Sequence, residues 1–151
     1  MNRLELKLPP PLVMLLMGVA MWGLARAFPQ TYIAVPLWAV LLPAALGAIV
    51  SALGVLGMGR TGTTLDPLKP AKATVLVTGG IYRVTRNPMY LGLALLLLGW
   101  ALWLGIDLTL LGPALFVLYI TRFQILPEER ALFGLFGKDY RDYTTHTRRW
   151  V

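Results

Sequence analysis

Two places in the chain carry side chains that could do chemistry. The first is Gly79-Gly80-Ile81-Tyr82-Arg83, followed at once by Thr85-Arg86-Asn87-Pro88-Met89-Tyr90. It sets guanidinium donors, phenol rings and pliable backbone around an expected helix start, where unpaired N–H groups attract anions. The second is Pro127-Glu128-Glu129, with Tyr140, Tyr143 and Arg149 further on. Carboxylates in a first helical turn suit the helix dipole. A pair of acids beside an anionic leaflet is nonetheless a poor adhesive, and it points to a partly cationic ligand. Arginine can grip a carboxylate through two parallel bonds, and a phenol face can rest against a cation.

Each of these residues also has a plainer reading. Arg83 and Arg86 could simply hold phosphate head groups, and Tyr82 and Tyr90 could be aromatic belt residues at the membrane boundary. Asn87 could be only an N-cap, its side chain accepting a backbone N–H. The tail could be an amphipathic helix lying on the membrane. Metal chemistry has little support: there is one histidine, His146, far down the tail, and no cysteine. Thiolate sites and disulfides are therefore excluded.

The elements that must position these residues are set by composition. Of 151 residues, 57% are hydrophobic and only 14% charged. That excludes a disordered segment, a collagen-like repeat and an ordinary soluble enzyme. Four apolar runs approach bilayer length, at about residues 12–28, 36–58, 89–104 and 108–120. Only Gly105, Ile106 and Asp107 separate the last two, which predicts a tight antiparallel hairpin that does not obviously reach the far leaflet. The first run reads as an anchor or as a signal peptide, with Ala25-Arg26-Ala27 imitating a cleavage site. Run two is rich in small residues, and spacings such as Ala44/Ala48 and Gly47/Ser51 permit close helix packing within the chain or across a homodimer seam.

Basic residues fall in the N-terminus, the 59–87 loop and the 122–151 tail, while the alternate connections hold only Arg26 and Asp107. By the positive-inside rule both termini are expected in the cytosol. The net charge of +7 then suits anionic lipids and gives no support to nucleic acid as partner. Within the loop, Thr61-Gly62-Thr63-Thr64, Asp66-Pro67 and Lys69-Pro70 favour turn or extended backbone, and Thr74–Thr78 favours a short strand. In the tail, Leu132, Leu135, Phe136, Tyr140, Tyr143 and Thr147 recur at helical steps, with a break or bend expected at Gly137. The expected fold is all-α: a single integral-membrane helical bundle over residues 1–151, with about four spans, a loop and an amphipathic C-terminal helix.

Arg86-Asn87-Pro88-Met89-Tyr90-Leu91-Gly92 resembles the Arg-His-Pro-x-Tyr-x-Gly signature of isoprenylcysteine carboxyl methyltransferases and their bacterial relatives. Gly80-Ile81-Tyr82-Arg83 is similar to the Gly-Pro-Tyr-Arg that precedes it there. Glu128-Glu129, Phe136-Gly137-x-x-Tyr140-x-x-Tyr143 and Arg149-Trp150 are similar to the family's C-terminal block. Phospholipid methyltransferases share a weaker form of the pattern. The resemblance implies a membrane methyltransferase using S-adenosylmethionine without a Rossmann domain. It implies that Tyr82, Arg86, Asn87, Pro88, Tyr90 and Gly92 line a cofactor cavity. Glu128 and Glu129 would hold cofactor groups or orient the acceptor, and Tyr140, Tyr143 and Arg149 would close the pocket. Arg86 and Glu129 are the expected catalytic pair. Asn87 stands where the lipidated-cysteine enzymes have histidine.

The acceptor is expected to be lipophilic and to come sideways from the bilayer; its identity stays open, and a carboxylate would need no general base at neutral pH. An amine or thiol acceptor would need one. An NADPH-dependent membrane reductase and a lipid-binding scaffold are the competing classes. A monomer or weak homodimer in the inner or plasma membrane of a prokaryote is expected.

Overall fold

The computed structural model describes residues 5–28, 32, 34–62 and 70–151, with Lys72 described by its backbone alone. Thr63, Thr64, Asp66, Pro67 and Lys69, singled out above, lie outside the described residues. Helix α1 spans Pro10–Ala27, α2 Leu37–Gly59, α3 Pro88–Leu104, α4 Leu111–Ile120 and α5 Leu126–His146. Among the described residues no strand forms, and the one β contact is an isolated antiparallel bridge between Tyr32 and Ile106. Thr74–Thr78 is irregular, because a single β-prone segment with no neighbour has nowhere to place its ladder bonds.

Three helical stretches, Pro10–Ala27, Leu37–Gly59 and Asp107–His146, are long and apolar enough to cross a membrane, and α3 is a shorter apolar helix of 17 residues. At 1.5 Å per residue α3 reaches about 25 Å, a little less than the bilayer's hydrocarbon core. It sits at the centre, apolar all round, as a buried helix must be. Tyr90, Ala94, Leu97 and Ala101 join Val13 and Met21 of α1 and Phe116 and Ile120 of α4 in the core. Leu15, Val19, Trp38 and Leu42 stay exposed on the outer faces of α1 and α2, where lipid would be their solvent.

The small residues of α2 have an intramolecular use. A Cβ on Gly47 would lie 2.7 Å from the Gly92 carbonyl, and one on Gly54 would lie 2.9 Å from Met89 Cγ. A Cβ on Gly92 would collide with Ser51 and the Gly47 carbonyl. Gly92, expected in the cavity wall, belongs instead to this seam, since only a residue without a side chain lets the two backbones come so near.

The hairpin tip turns at Gly105, whose φ of +64° is the left-handed region glycine tolerates. Buried Thr109 closes the turn, its hydroxyl donating to the carbonyls of Ala101 and Ile106.

Pro127 does not begin a separate helix, as its position after an apolar run had suggested. The chain runs on from α4 into α5 through a π-helical turn at Thr121–Ile125. A proline inside a helix lacks an N–H and crowds the carbonyl four residues back, and a wider turn relieves both problems. The carbonyl left over is that of Phe123, and the Leu6 N–H donates to it at 3.1 Å. Beside this bond, buried Glu5 pairs with Arg122 at 3.2 Å and Arg130 at 2.8 Å. Burial alone would raise the Glu5 carboxyl, but the two arginines outweigh it and hold its pKa below the ordinary value. Gly137, with φ +49° and ψ −113°, kinks α5 as its glycine predicts. The N-terminal segment, the loop and the tail thus gather at one end of the bundle, and Tyr32 and the hairpin tip at the other.

Gly92→Leu should overpack the α2–α3 seam, at a cost of about 1–3 kcal/mol or more. Gly134, which has nothing within 4 Å of an added Cβ, should gain helix stability of about 0.5–1 kcal/mol on change to Ala. Thermal unfolding in detergent checks both, and a Gly92→Leu protein as stable as the parent would dismiss the seam.

Candidate active site at the start of helix α3

The site begins with Pro88 at the first position of α3, where its missing N–H would be unpaired in any case. Asn87 precedes it, but its side chain makes no cap bond to the helix. It donates instead through Nδ2 to the Arg149 carbonyl at 2.9 Å. The Arg86 N–H donates to the Arg148 carbonyl at 3.0 Å, and the fully buried Thr85 hydroxyl donates to the Arg149 carbonyl at 3.3 Å. The last residues of the tail therefore lie against residues 85–87, held by backbone carbonyls that have no helix to satisfy them.

Side chains complete the closure. Arg149 grips Glu129 through both ends of its fork, Nε to Oε1 at 2.9 Å and the terminal nitrogen to Oε2 at 2.7 Å. These bonds raise the Arg149 pKa further. Arg86 adds a second cation 3.2 Å from Glu129 Oε1. Glu129 is thus neutralised twice over. Glu128 next to it has no cation partner among the described residues. Its Oε1 accepts the Tyr90 hydroxyl at 2.5 Å and Gln124 Nε2 at 2.6 Å. Burial pushes its pKa up to about 7; the bonds from Tyr90 and Gln124 lower it, and the charge on Glu129 adds to the rise.

Between these groups lies a cleft with about 880 Å³ of empty space, its open mouth included. Tyr82, Arg86, Asn87, Pro88, Tyr90, Glu128, Glu129, Tyr140 and Tyr143 all line it. Arg149 stands behind Glu129, and Gly92 is one turn further along α3 in the seam with α2. The Tyr82 hydroxyl donates to the Gly54 carbonyl at 3.2 Å, and Tyr143 donates to the Tyr82 carbonyl at 2.6 Å. Both phenol rings are fixed by these bonds. Burial raises the Tyr82 pKa and takes Tyr140 and Tyr143 to about 12, so all three stay neutral donors at physiological pH. Apolar walls come from Met58, Val75, Leu76, Val77 and Leu132.

One buried polar atom has no partner among the described residues: Arg86 Nε. A buried guanidinium nitrogen without an acceptor is costly, and an anionic ligand group in the cleft would remove that cost.

Sequence reasoning missed Gln124 and Glu5, and gave Thr85 no role of its own. Gln124 is four residues before Glu128, a spacing that places both on one helix face, and it is an isolated amide in an apolar run. That signal was readable. Thr85 and Glu5 act through partners more than 60 residues away, which no local spacing announces.

Fold and site together define a helical membrane protein with a charged, half-enclosed cleft at one end of its bundle. The chain belongs to the phospholipid methyltransferase family, whose model matches residues 34–139, and it is accordingly a membrane methyltransferase. An uncharacterised protein of Haemophilus influenzae is 51% identical over 63 residues, which is 42% of this chain and all of that protein. No solved structure matches the chain. Tyr140, Tyr143 and Arg149 lie beyond the matched segment, yet close the cleft that the matched segment opens.

Glu129→Gln should weaken tail docking by about 1–2 kcal/mol, a figure reduced for the partial exposure of Arg149. Amide exchange at Arg86, whose N–H is held by the Arg148 carbonyl, should then speed about 5- to 30-fold. Unchanged protection there would mean that the tail is held by something else.

Proposed function

We propose that the cleft binds S-adenosylmethionine and that the protein passes its methyl group to a lipophilic acceptor reaching the cleft from the bilayer. One observation carries this reading. The unpartnered Arg86 Nε, a carboxylate without a cation among the described residues and several phenol rings converge on one cleft at one end of the bundle. A ligand that is a zwitterion at one end, a sulfonium in the middle and a flat aromatic base at the other answers each of those groups.

Arg86 is the residue for the ligand's carboxylate, because its Nε is already desolvated and needs an acceptor. The fixed faces of Tyr82 and Tyr90 suit a sulfonium. The apolar stretch Val75–Val77 with Leu132 suits the base. When bound, the sulfonium supplies an electrophilic methyl carbon and loses its charge on transfer. The chain's own part is to hold donor and acceptor in line and to keep water out, effects worth several kcal/mol in well-aligned systems. Glu129 acts here by fixing Arg86 and Arg149. The end bearing the cleft faces the cytosol in this reading, within the inner membrane of a prokaryote, and its arginines rest on anionic lipids. The protein works as a monomer or weak homodimer.

Calorimetry of the purified protein in lipid nanodiscs with S-adenosylhomocysteine tests the reading. The parent should bind. Arg86→Gln should weaken binding about 10- to 100-fold, the loss expected for a charge-assisted bond. NADPH should give no heat. Binding undiminished by Arg86→Gln would remove the assignment, and heat from NADPH alone would favour a reductase.

A further inference from the structure

Helices α1 and α3 leave an apolar groove between them, running from Met14 toward the hairpin end of the bundle. Met14, Gly18 and Trp22 of α1 line it, with Leu96, Leu97 and Trp100 of α3. The Trp100 indole N–H donates to the Gly18 carbonyl at 3.1 Å, which fixes that ring between the two helices. Gly18 differs from the glycines of the α2–α3 seam. Added Cβ atoms on Gly47, Gly54 and Gly92 would overlap a neighbour, whereas one on Gly18 would meet nothing closer than the Trp100 ring at 3.9 Å. Helix packing does not demand its missing side chain, and the groove is deeper for it. The hairpin end of the groove carries a charge. One turn beyond Trp22, the Arg26 guanidinium lies 5.4 Å from the centre of that indole ring. Among the described residues no carboxylate pairs with Arg26, and the Trp22 indole N–H has no acceptor. Arg26 is also the one basic residue in the connections at this end, against the rule that gathers cations on the other side.

The lengths match a lipid. Met14 to Trp22 is about 12 Å of helix, and Arg26 stands about 6 Å further on. Half of a bilayer's hydrocarbon core is about 15 Å deep. An acyl chain of one leaflet therefore fits along the groove with its headgroup level with Arg26. We propose that this groove holds one diacyl phospholipid with a net anionic headgroup, taken from the leaflet opposite the cleft. One acyl chain lies along Met14–Trp22, the Arg26 guanidinium donates to the phosphate, and the Trp22 N–H donates to an ester oxygen. This lipid is held and not methylated, since helix α3, about 25 Å long, separates its headgroup from the cleft. By filling the groove it staples α1 to the central helix through packing, which is what drives association where lipid is the solvent.

Native mass spectrometry of protein released from nanodiscs of phosphatidylglycerol and phosphatidylcholine in equal parts tests the site. One phosphatidylglycerol should stay on the parent, with phosphatidylcholine about fivefold rarer, the usual worth of one arginine at an anionic surface. Arg26→Gln should erase that preference. Gly18→Leu, whose side chain would project into the groove, should release the retained lipid, while its thermal unfolding in lipid-free detergent should come no earlier than the parent's. Phosphatidylglycerol with brominated acyl chains, diluted into phosphatidylcholine vesicles, should quench the tryptophan fluorescence of the parent more strongly than that of Gly18→Leu. Equal retention of the two lipids by the parent would leave only the ordinary lipid shell and overturn the proposal. Phosphatidylglycerol retention undiminished in Arg26→Gln would place the headgroup elsewhere, and retention undiminished in Gly18→Leu would leave the groove empty. Either result overturns it, as does early unfolding of Gly18→Leu, because the space beside Gly18 would then not be open.

Discussion

Two carboxylates side by side in a cleft walled by methionine, valine and leucine cannot both stay bare and charged, since desolvating one ion costs several kcal/mol. The chain solves this unevenly. Glu129 takes the whole of the Arg149 fork and a further nitrogen of Arg86. Meeting that demand draws the tail down onto residues 85–87 and closes the cleft. Glu128 receives only neutral donors and keeps a variable charge. The same dipeptide thus provides the latch of the site and a carboxyl whose pKa lies near neutral pH. If the latch fails, Arg86 loses its anchor and the tail carbonyls lose their donors.

Helix α3 makes this closure possible from below. Its first turn supplies Pro88 and Tyr90 to the cleft, and its middle supplies the glycines that let α2 lie against it. Because the α2 face at Gly54 and Gly57 continues toward Tyr82, the seam also sets where the cleft's first phenol stands. Packing in the bundle and geometry in the site are two ends of one contact.

Much of this was readable from residue order. The apolar runs gave the helices within a few residues, and Gly105 marked the hairpin tip. The three motif blocks do converge: Tyr90 and Glu128 share a hydrogen bond across 38 positions, and Tyr143 donates to the Tyr82 carbonyl across 61. Other features were not readable, each for a physical reason. Gly92 lies within a motif that serves a cleft, but its missing side chain serves the seam, and a glycine looks alike in both uses. Pro127 looks like a helix start because prolines favour first turns, whereas here the helix widens and passes through it. Asn87 has the form of a cap, but a carbonyl of the tail competes for it. Backbone carbonyls such as those of Arg148 and Arg149 carry no residue signature at all.

The bond from Leu6 to the Phe123 carbonyl bears on the order in which the molecule can be made. The groups it joins sit beside Glu5 and Arg122, which are 117 positions apart. The first helix leaves the ribosome long before the proline that creates the spare carbonyl has been translated. Glu5 and Leu6 must therefore wait, tethered by α1, until the last helix is in the bilayer, and a closure this distant is slow to find. The segment ahead of α1 is synthesised long before α5 and yet locks only after it.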